Sequence, residues 1–230
     1  MGPIESEDGV KRYFSDVYIS SYTPSLSALI ESRKGVTHTI EPPTLLIVGD
    51  LSLQGVRREI DMIHGLIQSA TTLVGAKPTR ATVMKHLPNH RMVHFACHGS
   101  LKSERPFDTA FLLHDKDRLS LLDMVRSRLS GAEFAFLSVC HRAEWTDART
   151  ADEALQHCGF RNAVGTLWEM NDSDGCDLSE HFYKRMFAED ERGVPIGRRS
   201  ARALRDSMQK LRNKEGMTLE RWVNFVHYGA

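Results

Sequence analysis

The sequence lacks any long apolar run, any excess of charge of one sign and any cysteine spacing typical of a disulfide framework. No stretch approaches the ~20 apolar residues that a membrane-spanning helix requires. Lys plus Arg and Asp plus Glu both number 30, so the formal net charge is zero. A balanced charge gives no electrostatic reason to expect nucleic acid or an anionic membrane surface as a partner, and we predict neither.

The four cysteines are Cys97, Cys140, Cys158 and Cys176, and no two of them form a C-x-x-C pair. The first residues are polar and acidic, unlike a secretory signal. Free thiols behind such an N-terminus predict a reducing compartment, and we expect a cytoplasmic protein. Nothing in the sequence requires a cofactor or a bound metal.

Short apolar runs alternate with amphipathic ones along a chain of 230 residues, of which 41% are apolar. Such alternation predicts an α/β fold with a mostly parallel sheet flanked by helices. We expect a polar tail over residues 1–16 and a single domain over residues 17–230. Predicted strands cover 17–22, 42–50, 91–97, 132–140 and 162–168, with a hairpin near 110–120. Predicted helices cover 25–32, 56–68, 79–87, 119–129, 150–158, 172–187 and 197–214, and residues 219–229 close the chain.

Two of the apolar runs end in residue types suited to nucleophilic catalysis. The run "MVHFACHGS" reaches His98, and "FAFLSVCHRAE" reaches Cys140. Because the carboxyl ends of parallel strands meet at one edge of a sheet, we expect these two residues to lie together. A thiol with a pKa of ~8.5 needs a neighbour such as imidazole to become a good nucleophile. Gly99 follows His98 and would let a substrate carbonyl approach the backbone closely.

Other interpretations of these residues remain open at this level. A cysteine in an apolar run is commonly an inert core thiol, and strand parity predicts that role for Cys97. His94, Cys97 and His98 are also zinc-ligand types, but one extended strand turns alternate residues to opposite faces, so we predict no metal site. The turn "GDLSLQG" at 49–55 resembles a phosphate loop only faintly, because it lacks the Gly-Lys-Ser/Thr ending.

Several segments together resemble the CHAT family, which comprises caspase-like cysteine peptidases related to separase. The segments that carry the resemblance are "HFACHG" (94–99), "FLSVCHRAE" (136–144), "GFRNAVGTLWEMND" (159–172) and "WVNFVHYG" (222–229). With "SYTPSLSAL" (21–29), they span nearly the whole chain. The resemblance implies a caspase-like three-layer sandwich and a cysteine endopeptidase that acts on polypeptides.

The resemblance also implies roles for individual residues. His98 would be the general acid and base, Cys140 the nucleophile, and the backbone N–H groups of Gly99 and Cys140 the oxyanion hole. An acidic residue after "LW" would select Arg or Lys at the P1 position, with Glu169 as the first choice and Asp172 as the second. The structural alternative is that Asp172 only caps the helix that starts near Ser173.

A second function stays open, namely an inactive CHAT-like module for signalling or interaction. The segment from Asp152 to Gly159 is shorter than the resemblance implies, which favours this alternative. Either function would accommodate a regulatory protein or a repeat domain as partner. The basic helix at 197–214 is expected to pack its apolar stripe on the core and to expose its charges.

Overall fold

The structure, a computed structural model, describes residues 4–5, 11–34, 44–100, 105, 108–127, 129, 131–138, 140–141, 158–168, 170–191 and 193–229. The predicted helix at 150–158 and the candidate residue Glu169 lie outside these residues, apart from Cys158. None of the helices in the described ranges is both long enough and apolar enough to cross a membrane.

The described elements follow the α/β order that the sequence predicts. The strands are β1 (Ile4–Glu5), β2 (Lys11–Arg12), β3 (Leu45–Gly49), β4 (Thr71–Val74), β5 (Met92–Ala96), β6 (His98–Ser100), β7 (Ala110–Leu112), β8 (Arg118–Ser120), β9 (Phe134–Leu137), β10 (Cys140–His141), β11 (Asn162–Thr166) and β12 (Phe225–Tyr228). The helices are α1 (Phe14–Val17), α2 (Leu26–Arg33), α3 (Val56–Leu66), α4 (Arg80–His86), α5 (Leu121–Arg126), α6 (Asp172–Met186), α7 (Ile196–Arg212) and α8 (Leu219–Trp222).

A six-stranded sheet in the order β12-β11-β9-β5-β3-β4 forms the centre of the domain. Its strands are parallel except β12, which pairs antiparallel with β11. Every residue of β3, β5, β9 and β11 is buried, as expected for parallel strands that helices cover on both faces. The expected three-layer α/β sandwich is therefore confirmed.

Strand alternation sends side chains to two separate cores, one on each face of the sheet. Val93 and Phe95 belong to the core under α4 and α5. Ile47 and Phe136 belong to the core under α3, α6 and α7. Each fully buried side chain of this size contributes roughly 1.5–3 kcal/mol through burial. The two cores therefore pack against opposite faces of the sheet.

A second, four-stranded sheet in the order β10-β6-β7-β8 continues from that carboxyl edge. The predicted hairpin is confirmed as β7 and β8, and Ser120 caps α5 by accepting a hydrogen bond from the Asp123 backbone N–H at 3.1 Å. Ser25 precedes α2, and its hydroxyl accepts a hydrogen bond from the Ala28 backbone N–H at 3.1 Å. β6 follows β5 after one residue, and β10 follows β9 after two.

One predicted element is wrong, and one strand was not predicted. Residues 17–22 do not form a strand, because α1 ends at Val17 and only Tyr22 makes a bridge, parallel to Tyr228. Tyr18 and Ile19 are exposed, so their alternating pattern has no sheet face to cover. The strand β4 was not predicted, because four residues at a sheet edge give too short a pattern.

The basic helix α7 packs as expected on the sheet. Leu204 and Leu211 are buried in the core. Its basic side chains meet local carboxylates: Arg202 reaches Glu191 at 2.8 Å, and Arg212 reaches Asp16 at 2.8 Å.

Candidate active site

The two residues singled out for catalysis begin the short strands β6 and β10. These strands pair in parallel, with Cys140 directly opposite His98 and His141 opposite Gly99. Neighbouring strands lie roughly 4.8 Å apart, so the backbones of the two residues are adjacent. The core strands β5 and β9 determine this position, because they are themselves in register from Met92 and Phe134 onwards.

His98 is half-buried, while its neighbour Cys97 is almost fully buried with 1% exposure. Cys97 belongs to the core with Phe95 and Phe111, which agrees with its expected packing role. Among the described residues, the Nδ1 atom of His98 has no hydrogen-bond partner. This imidazole lies on β6 at the point where β6 pairs with β10.

Gly99 is buried between two strands, opposite His141 on β10 and opposite Phe111 on β7. This places a residue without a side chain beside the paired Cys140 and His98 backbones. The oxyanion-hole role that the resemblance implies for the Gly99 backbone N–H stays a prediction.

Asp172 is the first residue of α6, but it is not the cap. Asn171 is the N-cap, and its side-chain oxygen accepts from the Ser173 backbone N–H at 3.0 Å. The structural alternative for Asp172 is therefore wrong. Half-buried Asp172 instead lines a small pocket that it shares with Glu59, Ser138 and Cys176.

A buried polar network under this pocket was not found in the sequence. Glu59 accepts a hydrogen bond from the Ser138 hydroxyl at 3.0 Å, and its other oxygen lies 3.5 Å from Nε2 of His94. Nδ1 of His94 lies 3.0 Å from the Tyr183 hydroxyl. All four residues are buried. One signal was present in the sequence: Glu59 interrupts the apolar face that Val56, Ile60 and Ile63 form on α3.

Two other thiols have environments that suppress reactivity. Burial raises the pKa of Cys158 to about 12. Burial, with a smaller contribution from the Glu59 charge, raises the pKa of Cys176 to about 11. Since the thiolate is the nucleophile, neither residue is suited to attack a substrate at neutral pH.

The zinc-ligand residue types along β5 and β6 do not converge. His94 packs on one face of the sheet against Phe136 and Tyr183, whereas Cys97 packs on the other. Within the described ranges, no group of three or more His, Cys, Asp or Glu side chains is arranged to hold a metal ion.

Comparison with known families assigns the fold. The sequence profile of the CHAT domain matches residues 3–230. The chain belongs to the CHAT-domain family. A search among curated proteins finds no match to this sequence.

Solved structures similar to this CHAT domain are cysteine peptidases. The Arg-specific cysteine proteinase gingipain R superposes with a TM-score of 0.60 at 10% identity, covering 88% of this chain and 50% of that one. The complex of pro- and mature domains of Porphyromonas gingivalis RgpB gives 0.57 at 9% identity, with 88% and 51% covered. The separase–securin complex of Saccharomyces cerevisiae gives 0.58 at 19% identity, with 91% and 14% covered.

These similarities confirm the caspase-like fold of the CHAT domain. The chain spans about half of the gingipain chains and a small part of separase. These complexes show that such peptidase-like folds bind polypeptide partners, securin in one case and a pro-domain in the other.

Proposed function

We propose that this CHAT domain is a cysteine endopeptidase that uses Cys140 as nucleophile and His98 as general acid and base. The observation that carries the proposal is the register of the small sheet, in which Cys140 and His98 are direct partners. Residues opposite one another on neighbouring strands share a face of the sheet, as a thiol–imidazole pair requires.

The proposed reaction has two steps. The Cys140 thiolate attacks the scissile carbonyl carbon, the C–N bond breaks, and His98 gives a proton to the leaving amine, so a thioester remains. Water then attacks the thioester, His98 accepts its proton, and the thiolate leaves as the carboxylate product forms. Backbone N–H groups of Gly99 and Cys140 would stabilise the oxyanion in both steps. No cofactor enters either step.

We further propose a preference for Arg or Lys at P1. The support is the position of Asp172, the first residue of α6, whose half-buried side chain lines the same small pocket as Ser138, two residues before Cys140. A charge-assisted hydrogen bond between a guanidinium and a carboxylate is strong and directional. Glu169 remains the other candidate for this contact. The Arg specificity of gingipain R agrees with this preference.

A thiol-reactive peptide probe with arginine at P1 tests the function. We expect it to label Cys140 of the folded chain, and peptide mapping should show no labelled Cys158 or Cys176, because burial raises the pKa of both thiols. Cys140→Ala is the matched control and should take up no probe. A peptide library varied at P1 should be cleaved best after Arg or Lys.

Two results would contradict these proposals. A folded chain in which the probe never reacts with Cys140 would favour the non-catalytic interaction module. A library cleaved best after leucine or aspartate would leave the peptidase in place but refute the basic preference.

A further inference from the structure

The chain is anchored a short way before the nucleophile. The backbone N–H of Ser138 donates to the Phe95 carbonyl at 2.8 Å, one step beyond the end of β9. The Ser138 hydroxyl donates to Glu59 on α3 at 3.0 Å. Among the described residues, Ser138 is the last before Cys140, where the chain leaves the large sheet and enters the small one.

Glu59 lies between Ser138 and the strand that leads to His98. One carboxylate oxygen accepts from Ser138, while the other lies 3.5 Å from the imidazole of His94. His94 is on β5, which runs directly towards β6 and His98. A single carboxylate therefore accepts a hydrogen bond from the segment that leads to Cys140 and lies beside, without hydrogen-bonding, the strand that leads to His98.

Glu59 occupies a position where packing alone would favour an apolar residue. It is only 2% exposed and lies on the same helix face as Ile60 and Ile63. A buried carboxylate costs free energy that an apolar side chain of similar volume avoids. A residue kept in such a place is better explained by fixing a geometry than by adding stability.

We infer that Glu59 is a positioning residue, which holds the Cys140 segment in register with His98 through its hydrogen bond to Ser138. This role rests on the proposed peptidase function. Glu59 would then affect turnover although it lies far from Cys140 in sequence, on a helix that contributes no catalytic group. A displacement of ~1 Å in a reacting group can lower a rate ~100-fold, so a lost anchor at Ser138 should be visible in turnover.

Two pairs of substitutions test the role in the full chain. Glu59→Ala and Ser138→Ala remove the hydrogen bond, and each should lower kcat roughly 10- to 100-fold with KM nearly unchanged. Glu59→Gln and Ser138→Thr keep an acceptor and a donor, and each should recover most of that loss. Each single Ala variant and the double Ala variant lose the same Ser138–Glu59 hydrogen bond. The kcat of the double variant should therefore be no lower than that of the slower single variant.

Glu191 provides the matched control. Its carboxylate is also buried, at 1% exposure, but it pairs with Arg185 at 2.7 Å and Arg202 at 2.8 Å in the turn between α6 and α7. Glu191→Ala should lower the thermal midpoint and leave kcat at the wild-type value. This contrast separates loss of stability from loss of position.

The rate of Cys140 alkylation by iodoacetamide, read by mass spectrometry, separates this inference from the proposed function. If wild type cleaves no peptide but Glu59→Ala and Ser138→Ala still slow alkylation, the peptidase proposal fails and the positioning role stands. If wild type cleaves and the Ala variants keep its kcat, the positioning role is wrong. Equal losses in Glu59→Gln and Glu59→Ala would also refute it. If Glu59→Ala does not fold, the test is made by comparing the kcat of Ser138→Ala with that of Ser138→Thr.

Discussion

Cys140 and His98 are direct partners across the parallel strands β10 and β6. Each strand continues from a fully buried strand of the large sheet, β9 or β5. The register of the large sheet therefore determines which residues of β6 and β10 lie opposite one another. The proposed chemistry depends on this relationship, and four expected outcomes follow from it and from the surrounding fold.

Removing the imidazole should make Cys140 a poorer nucleophile. We expect His98→Ala to slow alkylation of Cys140 at neutral pH about 10-fold or more, because the thiolate loses the neighbour that favours its ionisation. The measurement is a quenched iodoacetamide time course with peptide mapping. His181→Ala, on the half-exposed side of α6, is the control and should alkylate Cys140 like wild type. A wild-type rate in His98→Ala would argue against a dyad.

Neutralising Asp172 should change selectivity. Asp172→Asn should lower kcat/KM for peptides with Arg at P1 roughly 10- to 100-fold, corresponding to ~1.5–3 kcal/mol for a hydrogen bond to a charged group. Turnover of a leucine peptide, however slow, should be unaffected. Asp177→Asn removes another acid of α6, which pairs with Lys214 at 2.5 Å, and should leave selectivity unchanged. Equal losses for both peptides in Asp172→Asn would indicate a structural effect instead.

Acid should destabilise the fold through His227. Its ring is buried between the hydroxyls of Ser21 and Ser200, each at 2.8 Å, and burial lowers its pKa from 6.5 to about 3. At pH values below ~6.5, the pKa of an exposed histidine, His227 binds a proton in the unfolded chain but stays neutral in the folded chain until the pH approaches its lowered pKa. The stabilisation is therefore complete above pH ~6.5 and is lost as the pH falls towards the folded pKa.

Urea unfolding between pH 6.5 and 4.5 measures this effect. Because of His227, the free energy of unfolding should fall by ~1.4 kcal/mol per pH unit in most of this window. His227→Gln should be less stable at neutral pH but should show a flatter dependence on pH. His181→Gln, at a less buried site, should keep most of the wild-type slope. Equal slopes in wild type and His227→Gln would contradict the assignment.

Ending the chain at Glu220 should produce an aggregated protein. The truncation removes Trp222, which is 5% exposed, and the whole of β12. β11 would then become an open edge of a largely apolar sheet, a ready template for pairing with other chains. Size-exclusion chromatography after expression measures the outcome. Leu219→Ala, at a position that is 44% exposed, should stay soluble. A soluble, folded truncated chain would show that β12 is dispensable.

Some features of the site were predictable because they depend on local patterns. The continuous apolar runs before His98 and Cys140 predicted buried parallel strands, and the structure places both runs in one sheet. The helices predicted at 56–68 and 119–129 depended on equally local signals, namely capping and helical periodicity within a few residues.

Other features depended on contacts that no local pattern records. The strand predicted at 17–22 was wrong because alternation predicts a strand only where a sheet face exists to cover it. The cap of α6 proved to be Asn171 rather than Asp172, a choice between neighbours of similar propensity.

The sequence by itself determined the alternation of strands and helices and the placement of a histidine and a cysteine just after two buried strands. Only the tertiary structure decided that Cys140 stands opposite His98, and that Glu59 reaches Ser138 across 79 residues of chain. The physical reason is that periodicity and capping act over one or two turns. Strand register and buried polar contacts are fixed instead by how distant segments fill the same core.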